Sequence, residues 1–194
     1  MTLRRVAVCV ALILSAASAL AQGRIQFVEY SAKFLCGIVE SSAPASGPVR
    51  AGIYETSINI HNPQLPIQPL PSVTFVKKVV LAPREGEDPI KPSEFRRAAL
   101  TADFADHVDC KLIRALLGPQ GGGAFIEGFV VLIVLPSPIT VPHELDVVGV
   151  YTVGNREGQE VDLEVVPVAP RIVPFPTAAG TKLRDKMLED SKKE

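Results

Sequence analysis

The twelve residues Ala124-Phe-Ile-Glu-Gly-Phe-Val-Val-Leu-Ile-Val-Leu135 are the most apolar stretch of the chain after its first 21 residues. A transmembrane helix needs about 20 apolar residues, so this stretch is too short to cross a bilayer. Its β-branched residues favour an extended conformation. A continuous apolar run of this kind is typical of a strand that is buried on both faces. We therefore predict that residues 124–135 form a central strand of a sheet.

Segments on both sides of this strand alternate apolar and polar residues, as half-buried strands do. The predicted strands cover residues 25–36, 49–62, 72–81, 95–100, 124–135, 145–153 and 161–168. Between two of them, Asp109 is suited to cap a short helix at about 109–117, and Gly118 is suited to end it. About six to eight strands at this spacing, with one short helix, predict an all-β antiparallel sandwich, with a barrel as the alternative.

The composition argues against several classes of function. Among 194 residues, 20 are Lys or Arg and 21 are Asp or Glu, which leaves no basic surface for nucleic acid. The chain has no Trp and only 3 Tyr, so a broad aromatic platform for sugars or single-stranded nucleic acid is hard to build. Charged residues make up 21% and hydrophobic residues 47%, which is typical of a globular domain rather than a disordered chain.

The first 21 residues have the three parts of a secretory signal peptide. Arg4 and Arg5 give the charged start, residues 6–14 give the apolar run, and Ala19-Leu-Ala21 gives the cleavage pattern. A membrane anchor is the alternative, but the apolar run is shorter than the about 20 residues of a spanning helix. Cleavage after Ala21 would leave a periplasmic or extracellular protein with no membrane span. The loss of two arginines would lower its formal charge from −1 to −3.

Cleavage would also leave an even number of cysteines, Cys36 and Cys110, in an oxidising compartment. A disulfide between them would close a loop of about 75 residues, and the alternative is two buried free thiols. The chain has no CxxC motif and no Cys/His spacing that fits a structural zinc site.

Six motifs taken together resemble those of a known group of proteins. They are Tyr30-Ser-Ala-Lys-Phe-Leu-Cys-Gly37, Gly52-Ile-Tyr-Glu-Thr-Ser-Ile-Asn-Ile-His-Asn-Pro63, Phe75-Val-Lys-Lys78, Val108-Asp-Cys110, Gly128-Phe-Val-Val131 and Leu145-Asp-Val-Val-Gly-Val-Tyr-Thr152. The combination resembles small secreted bacterial proteins of unknown function with a predicted immunoglobulin-like sandwich, over about residues 28–168. The resemblance implies an immunoglobulin-like sandwich and a pairing of Cys36 with Cys110. It implies no activity.

No sequence pattern points to catalysis. A nucleophile elbow GxSxG is missing, and His61, His107 and His143 lie in unrelated segments. Asp103, Asp106, His107 and Asp109 are close enough in sequence to hold a hard cation such as Ca²⁺. The alternative is a solvated acidic loop in which Asp109 caps the helix. We therefore expect a protein that is not an enzyme, with no catalytic residues, no metal and no cofactor.

Two further motifs are interpreted structurally. Residues 119–123 form a flexible turn rather than a phosphate cradle, because their glycines precede a strand and no Lys follows them. Lys77 and Lys78 point to opposite faces of a strand, so they form no patch, and we expect them to guard a sheet edge against pairing.

The loop at 63–71 has proline at every third position and then one more, which favours an extended left-handed rod. Its candidate partner-binding residues are Pro63, Leu65, Pro66, Ile67, Pro69 and Leu70. The alternative is a stiff connection that keeps a sheet edge from pairing. A binding role for His61 or Asn62, just before the loop, is a further hypothesis, against a turn that starts there for backbone reasons.

These observations predict a signal peptide at 1–21, a β-sandwich domain at 22–172 and a flexible charged C-terminal tail at 173–194. The expected function is that of a secreted or periplasmic, non-catalytic binding or structural module. Its partner would be another protein at the cell surface or in the periplasm. The alternatives are a subunit or accessory factor of a cell-surface assembly and, in third place, a metal-dependent hydrolase built on the acidic cluster.

Overall fold

The structure is a computed structural model that describes residues 24–40, 49–64, 72–83, 86–136, 143–155 and 161–192. The signal peptide predicted at 1–21 and the candidate binding residues Leu65, Pro66, Ile67, Pro69 and Leu70 lie outside these ranges. The strands are β1 Arg24–Val39, β2 Gly52–His61, β3 Val73–Leu81, β4 Arg96–Leu100, β5 Ala105–Asp109, β6 Phe125–Val134, β7 Asp146–Gly154, β8 Val161–Pro167 and β9 Arg171–Pro176. The helices are α1 Cys110–Leu117, a 3-10 helix Gly118–Gly122 and α2 Thr177–Asp190.

The nine strands of the described residues belong to one open antiparallel sheet, with β4 and β8 at its ends. We call β4, β3, β6 and β1, together with β9, the first wing. We call β5, β2, β7 and β8 the second wing. The wings join where β1 and β2 pair over 37–39 and 52–54. Gly37 sits at this junction with φ +116°, and a Cβ there would lie 2.0 Å from the carbonyl oxygen of Ala124.

The main core lies where side chains of both wings meet. Every second residue of β1, from Val28 to Cys36, is buried, as alternation in a strand requires. These side chains share one cluster with Ile58 and Ile60 of β2 and with Val147 of β7. The cluster therefore fixes the two wings against each other.

A second, smaller cluster lies on the outer face of the first wing. There α2 places Met187, which is 4% exposed, over Phe27, Val76 and Ile133. This cover explains why the C-terminal half of β6 is buried on both faces, as the sequence predicts for a central strand.

The segment 173–194, predicted as a flexible charged tail, holds most of β9 and all of α2. The domain boundary predicted at 172/173 falls inside β9, which pairs with the start of β1. The sequence only weakly indicates this packing, because Met187 is one of few apolar residues in a charged segment.

Most predicted elements are confirmed in type and position. The β-rich antiparallel class is correct, and so is α1, whose N-terminal Leu112 N–H is bonded to the Asp109 carboxylate at 2.7 Å. The interpretation of Lys77 as an edge guard is wrong, because β3 lies between β4 and β6 and Lys77 is 5% exposed. The interpretation of 119–123 as a flexible turn is also wrong for residues up to Gly122, which form a 3-10 helix.

The start of α1 lies against the junction of the wings. The sulfurs of Cys36 and Cys110 are 2.03 Å apart, the distance of a disulfide bond. From the next turn of α1, the guanidinium of Arg114 donates to the carbonyls of Cys36 and Gly123, at 3.0 and 2.7 Å. One helix thus holds both the end of β1 and the glycine-rich segment before β6.

Candidate functional site

The loop predicted to bind a partner starts at a firmly held residue. Asn62 is fully buried, and its side-chain amide donates to the carbonyl of Leu100 at 3.1 Å. Its backbone N–H donates to the carbonyl of Phe104, and its carbonyl accepts from the N–H of Asp103, at 3.0 and 2.9 Å. Asn62 therefore fixes the connection between β4 and β5, and its side chain is not available to a ligand.

Two neighbours of Asn62 extend this end of the sheet toward solvent. Pro63 is exposed, and the side chain of Gln64 is hydrogen-bonded to His143. Of the six candidate binding residues, Pro63 alone falls within the described ranges, so the docking hypothesis for the loop stays a prediction.

His61 lies between two carboxylates at the same end. Its ring nitrogens are 3.4 Å from Asp103 and 3.4 Å from Asp146, and all three side chains are substantially exposed. Asp103 is held at φ +63°, in the left-handed region. Because these groups are solvated, their mutual attraction is weak.

The acidic cluster proposed for a cation is dispersed by the fold. Asp106 pairs with Lys77, Asp109 caps α1, and Asp103 faces His61. His107 is exposed on the outer face of β5, whereas Val108 faces the core. Within the part of the chain that the structure describes, no three His, Cys, Asp or Glu side chains converge as metal ligands.

The pair of Lys77 and Asp106 connects the two wings. The ammonium nitrogen is 2.9 Å from the carboxylate, and the side chains are 7% and 33% exposed. Both residues point inward, since Lys77 follows the parity of Phe75 and Asp106 that of Val108. The pair is therefore a structural contact inside the fold rather than a free charged site.

Two tyrosines, the buried Tyr30 and the half-buried Tyr151, also connect the wings. The hydroxyl of Tyr30 accepts a hydrogen bond from Leu145 N–H at 2.7 Å. Burial raises the pKa of Tyr30 above its ordinary value, with smaller upward effects from Glu144 and Asp146 and a partly opposing effect of the Leu145 bond. The hydroxyl of Tyr151 donates to the carbonyl of Lys33 at 2.9 Å, and burial, followed by the charge of Glu164, raises its pKa.

A groove of about 440 Å³ opens beside the middle of β1. Ser31 and Lys33 of β1 form one side, and Val166 and Val168, at the end of β8 and after it, form the other. Phe129 of β6, which is 42% exposed, also lines the groove.

The charged side chains around the groove have partners of their own. Arg171 lies 3.0 Å from Glu29, and Lys33 lies 3.4 Å from Glu127. The groove is therefore largely neutral, with an apolar lining between two ion pairs. Sequence reasoning missed this feature, because its residues come from β1, β6 and the C-terminal strands β7, β8 and β9, which the fold brings together.

Comparison with known proteins identifies no relative of this chain. No protein-family model matches the chain, and no curated protein and no solved structure is significantly similar to it. None of the helices in the described ranges combines the length and the apolar character needed to cross a bilayer.

Proposed function

We propose that the protein is a secreted or periplasmic, non-catalytic module with an immunoglobulin-like β-sandwich, and that it binds another protein. The observation that carries the proposal is the anchored root of the loop at 63–71. Asn62 is fully buried and holds the β4–β5 connection through three hydrogen bonds, so the loop leaves the domain from a rigid point. Loops carried by rigid scaffolds are common binding elements.

The sandwich architecture is supported by contacts between the wings. Their side chains share one core, and Tyr30 and Tyr151 each form a hydrogen bond that links the wings. The Lys77–Asp106 pair adds a charged link. Two sheets that pack face to face share contacts of this kind.

The non-catalytic role is supported by what the polar residues do. Asp106 and Asp109 are engaged in structural contacts, and Asn62 holds a connection between strands. Secretion is supported by the sequence pattern of residues 1–21 and by the proximity of the sulfurs of Cys36 and Cys110.

The test is chemical cross-linking in the native host, followed by purification of the mature protein and identification of its partners. We expect one dominant partner, whose recovery falls strongly when Leu65, Ile67 and Leu70 are all changed to serine. The matched control is Leu163→Ser, which changes an exposed leucine on β8. Equal recovery with the loop variant and the wild type would remove the loop from the proposal, and capture of no partner would refute the binding function.

A second candidate is a subunit of a cell-surface assembly that contributes an edge strand to a neighbour. The observation that favours it is β8, an end strand of the sheet on which Leu163 and Val165 are 63% and 57% exposed. Exposed apolar edge strands tend to pair with other chains. Under this hypothesis the protein forms concentration-dependent oligomers, which Leu163→Lys disrupts. A monomer at all concentrations in analytical ultracentrifugation would exclude assembly by self-pairing.

A further inference from the structure

One edge of β1 has a gap in its strand pairing, although its other edge is paired with β6 over 28–37. On the gapped edge, β1 pairs with β9 up to Glu29 and with β2 from Gly37 onward. No described strand pairs with residues 30–36 on that edge, although side chains of β7 and β2 reach Lys33 and Leu35 there. The groove described above lies along this gap.

Side-chain hydrogen bonds show which backbone groups point into the gap. Leu35 N–H donates to the hydroxyl of Thr56, and this hydroxyl donates to the carbonyl of Leu35, both at 3.0 Å. The carbonyl of Lys33 accepts from Tyr151. Backbone groups of alternate residues point to the same edge of a strand. The N–H and C=O of Ser31, two residues further along, therefore also point into the gap, as does the N–H of Lys33.

The chemistry of the groove favours an uncharged occupant. The charges at its rim, Glu29 with Arg171 and Lys33 with Glu127, already neutralise each other. The remaining lining is mainly apolar, with Val166, Val168 and Phe129 beside the free backbone groups. A charged ligand would gain little there, whereas an extended peptide would satisfy the backbone groups and bury its own apolar side chains.

We propose that this groove binds an uncharged, extended peptide segment of a partner protein, which adds a short strand to β1 at Ser31. The site is short, because Lys33 and Leu35 already use their carbonyls on Tyr151 and Thr56. About three or four peptide residues, at about 3.3 Å each, therefore make the main-chain contacts. The inference rests on the proposed function, since it assigns a binding site and a ligand class to the same binding module.

The experiment uses a display library of random octapeptides selected against the oxidised mature protein. We expect enrichment of uncharged peptides rich in β-branched residues. Val166→Arg puts a long charged side chain into the groove, which an uncharged peptide would have to displace or desolvate, and should weaken the binding of the selected peptides by about tenfold or more. The matched control is Ala99→Arg, which puts the same side chain at an exposed position on β4 outside the groove and should leave their affinity unchanged.

Backbone methylation of a selected peptide gives an independent readout. Methyl groups on alternate amide nitrogens that face β1 should abolish binding, while methyl groups in the other phase should be tolerated. Ser31→Pro provides a second variant, since it removes an N–H that faces the gap and no ladder bond to β6. No enrichment, equal binding to Val166→Arg, or indifference to the phase of methylation would each overturn the proposal.

These outcomes can be separated from a failure of the proposed function. A host partner that is recovered equally well with wild type and Val166→Arg would refute the groove as its binding site and leave the binding function intact. Selected peptides that bind the groove, with no partner captured in the host, would support the site and refute the host binding function.

Discussion

Replacing Asp106 by alanine should destabilise the protein more than replacing Asp106 and Lys77 together. The single change leaves the Lys77 ammonium in the interior, where its side chain is 7% exposed, without the carboxylate that lies 2.9 Å away. The double variant Lys77→Met/Asp106→Ala removes both charges and puts an apolar side chain at an inward-facing position. Buried ion pairs show this asymmetry, because an unpaired charge costs more than the pair contributes.

The size of the effect follows from the geometry. At 2.9 Å and an effective dielectric constant of about 20, the attraction between the charges is about 6 kcal/mol before desolvation is subtracted. Loss of one partner of a fully buried pair lowers the free energy of unfolding by about 3–5 kcal/mol. Because Asp106 is 33% exposed, water reaches this pair, and we expect a loss of about 2–3 kcal/mol for Asp106→Ala. The double variant should lie within about 1 kcal/mol of the wild type.

The assay is equilibrium unfolding in urea of the oxidised proteins at neutral pH. Asp162→Ala, which removes an exposed carboxylate on β8, is the control and should change stability by less than about 0.5 kcal/mol. Equal stability of Asp106→Ala and this control, or a double variant as unstable as Asp106→Ala, would contradict the prediction.

Three other predictions concern the links between the wings. Tyr30→Phe leaves the buried Leu145 N–H without its acceptor and should lower the free energy of unfolding in urea by about 1–3 kcal/mol; an unchanged value would mean that water replaces the hydroxyl. Burial raises the pKa of Tyr30 and Tyr151 above 10.0, so these phenols lose their protons at a lower pH in the unfolded chain than in the folded one. The free energy of unfolding should therefore fall as pH rises through about 10. A phenolate titration of the folded protein that is indistinguishable from that of free tyrosine would contradict this. Changing Cys36 and Cys110 to serine should lower the free energy of unfolding by up to about 4–5 kcal/mol, because the bond restricts the unfolded chain over a separation of 74 residues. Peptide mass spectrometry without reduction should find the two cysteines linked in the wild type. Freely alkylated thiols would exclude the bond.

The strands that sequence predicts well are those whose side chains follow a simple rule of burial. The parity of residues in β1 and β2 is visible locally, and the apolar run of β6 marks a strand with cover on both faces. The cap at Asp109 is equally local, since Leu112 N–H lies three residues away. Each of these signals depends on neighbours within a few positions.

The elements that sequence misses depend on distant partners. In β5 the inward Asp106 breaks the apolar alternation, and it is matched by Lys77, which lies 29 residues away. In β9 two prolines, Pro174 and Pro176, argue against a strand. They are tolerated because β9 pairs on one side only, with β1, and prolines are accepted in edge strands. The residues that make these two strands possible lie in other segments of the chain, so a pattern read over a few neighbouring residues does not indicate them.

The candidate sites also divide into features with a local sequence signal and features that depend on distant residues. The start of the loop after Asn62 is predictable from turn chemistry, but the burial of Asn62 and its bonds to the β4–β5 connection are not. The groove needs the register of β1 against β9 and β2, and the register is a property of the whole sheet. The sequence therefore predicts the loop, most of which lies outside the described residues, and does not indicate the groove.

The position of β1 in the sheet has a consequence for how the chain reaches its native state. The first strand of the described residues, β1, pairs over its whole middle with β6, about one hundred residues later. Its first residues pair with β9, so that Arg24 stands opposite Pro176. Contacts that join such distant parts of a chain require large loops to close, which slows folding to the range of milliseconds to seconds. A ribosome or a translocation pore that releases the chain from its N-terminus would deliver β1 long before its main partners. Until β6 is synthesised, the apolar side chains of β1 that face the core in the native state have no partner strand to pack against. A chaperone that binds exposed apolar segments would find the largest exposed surface during that interval.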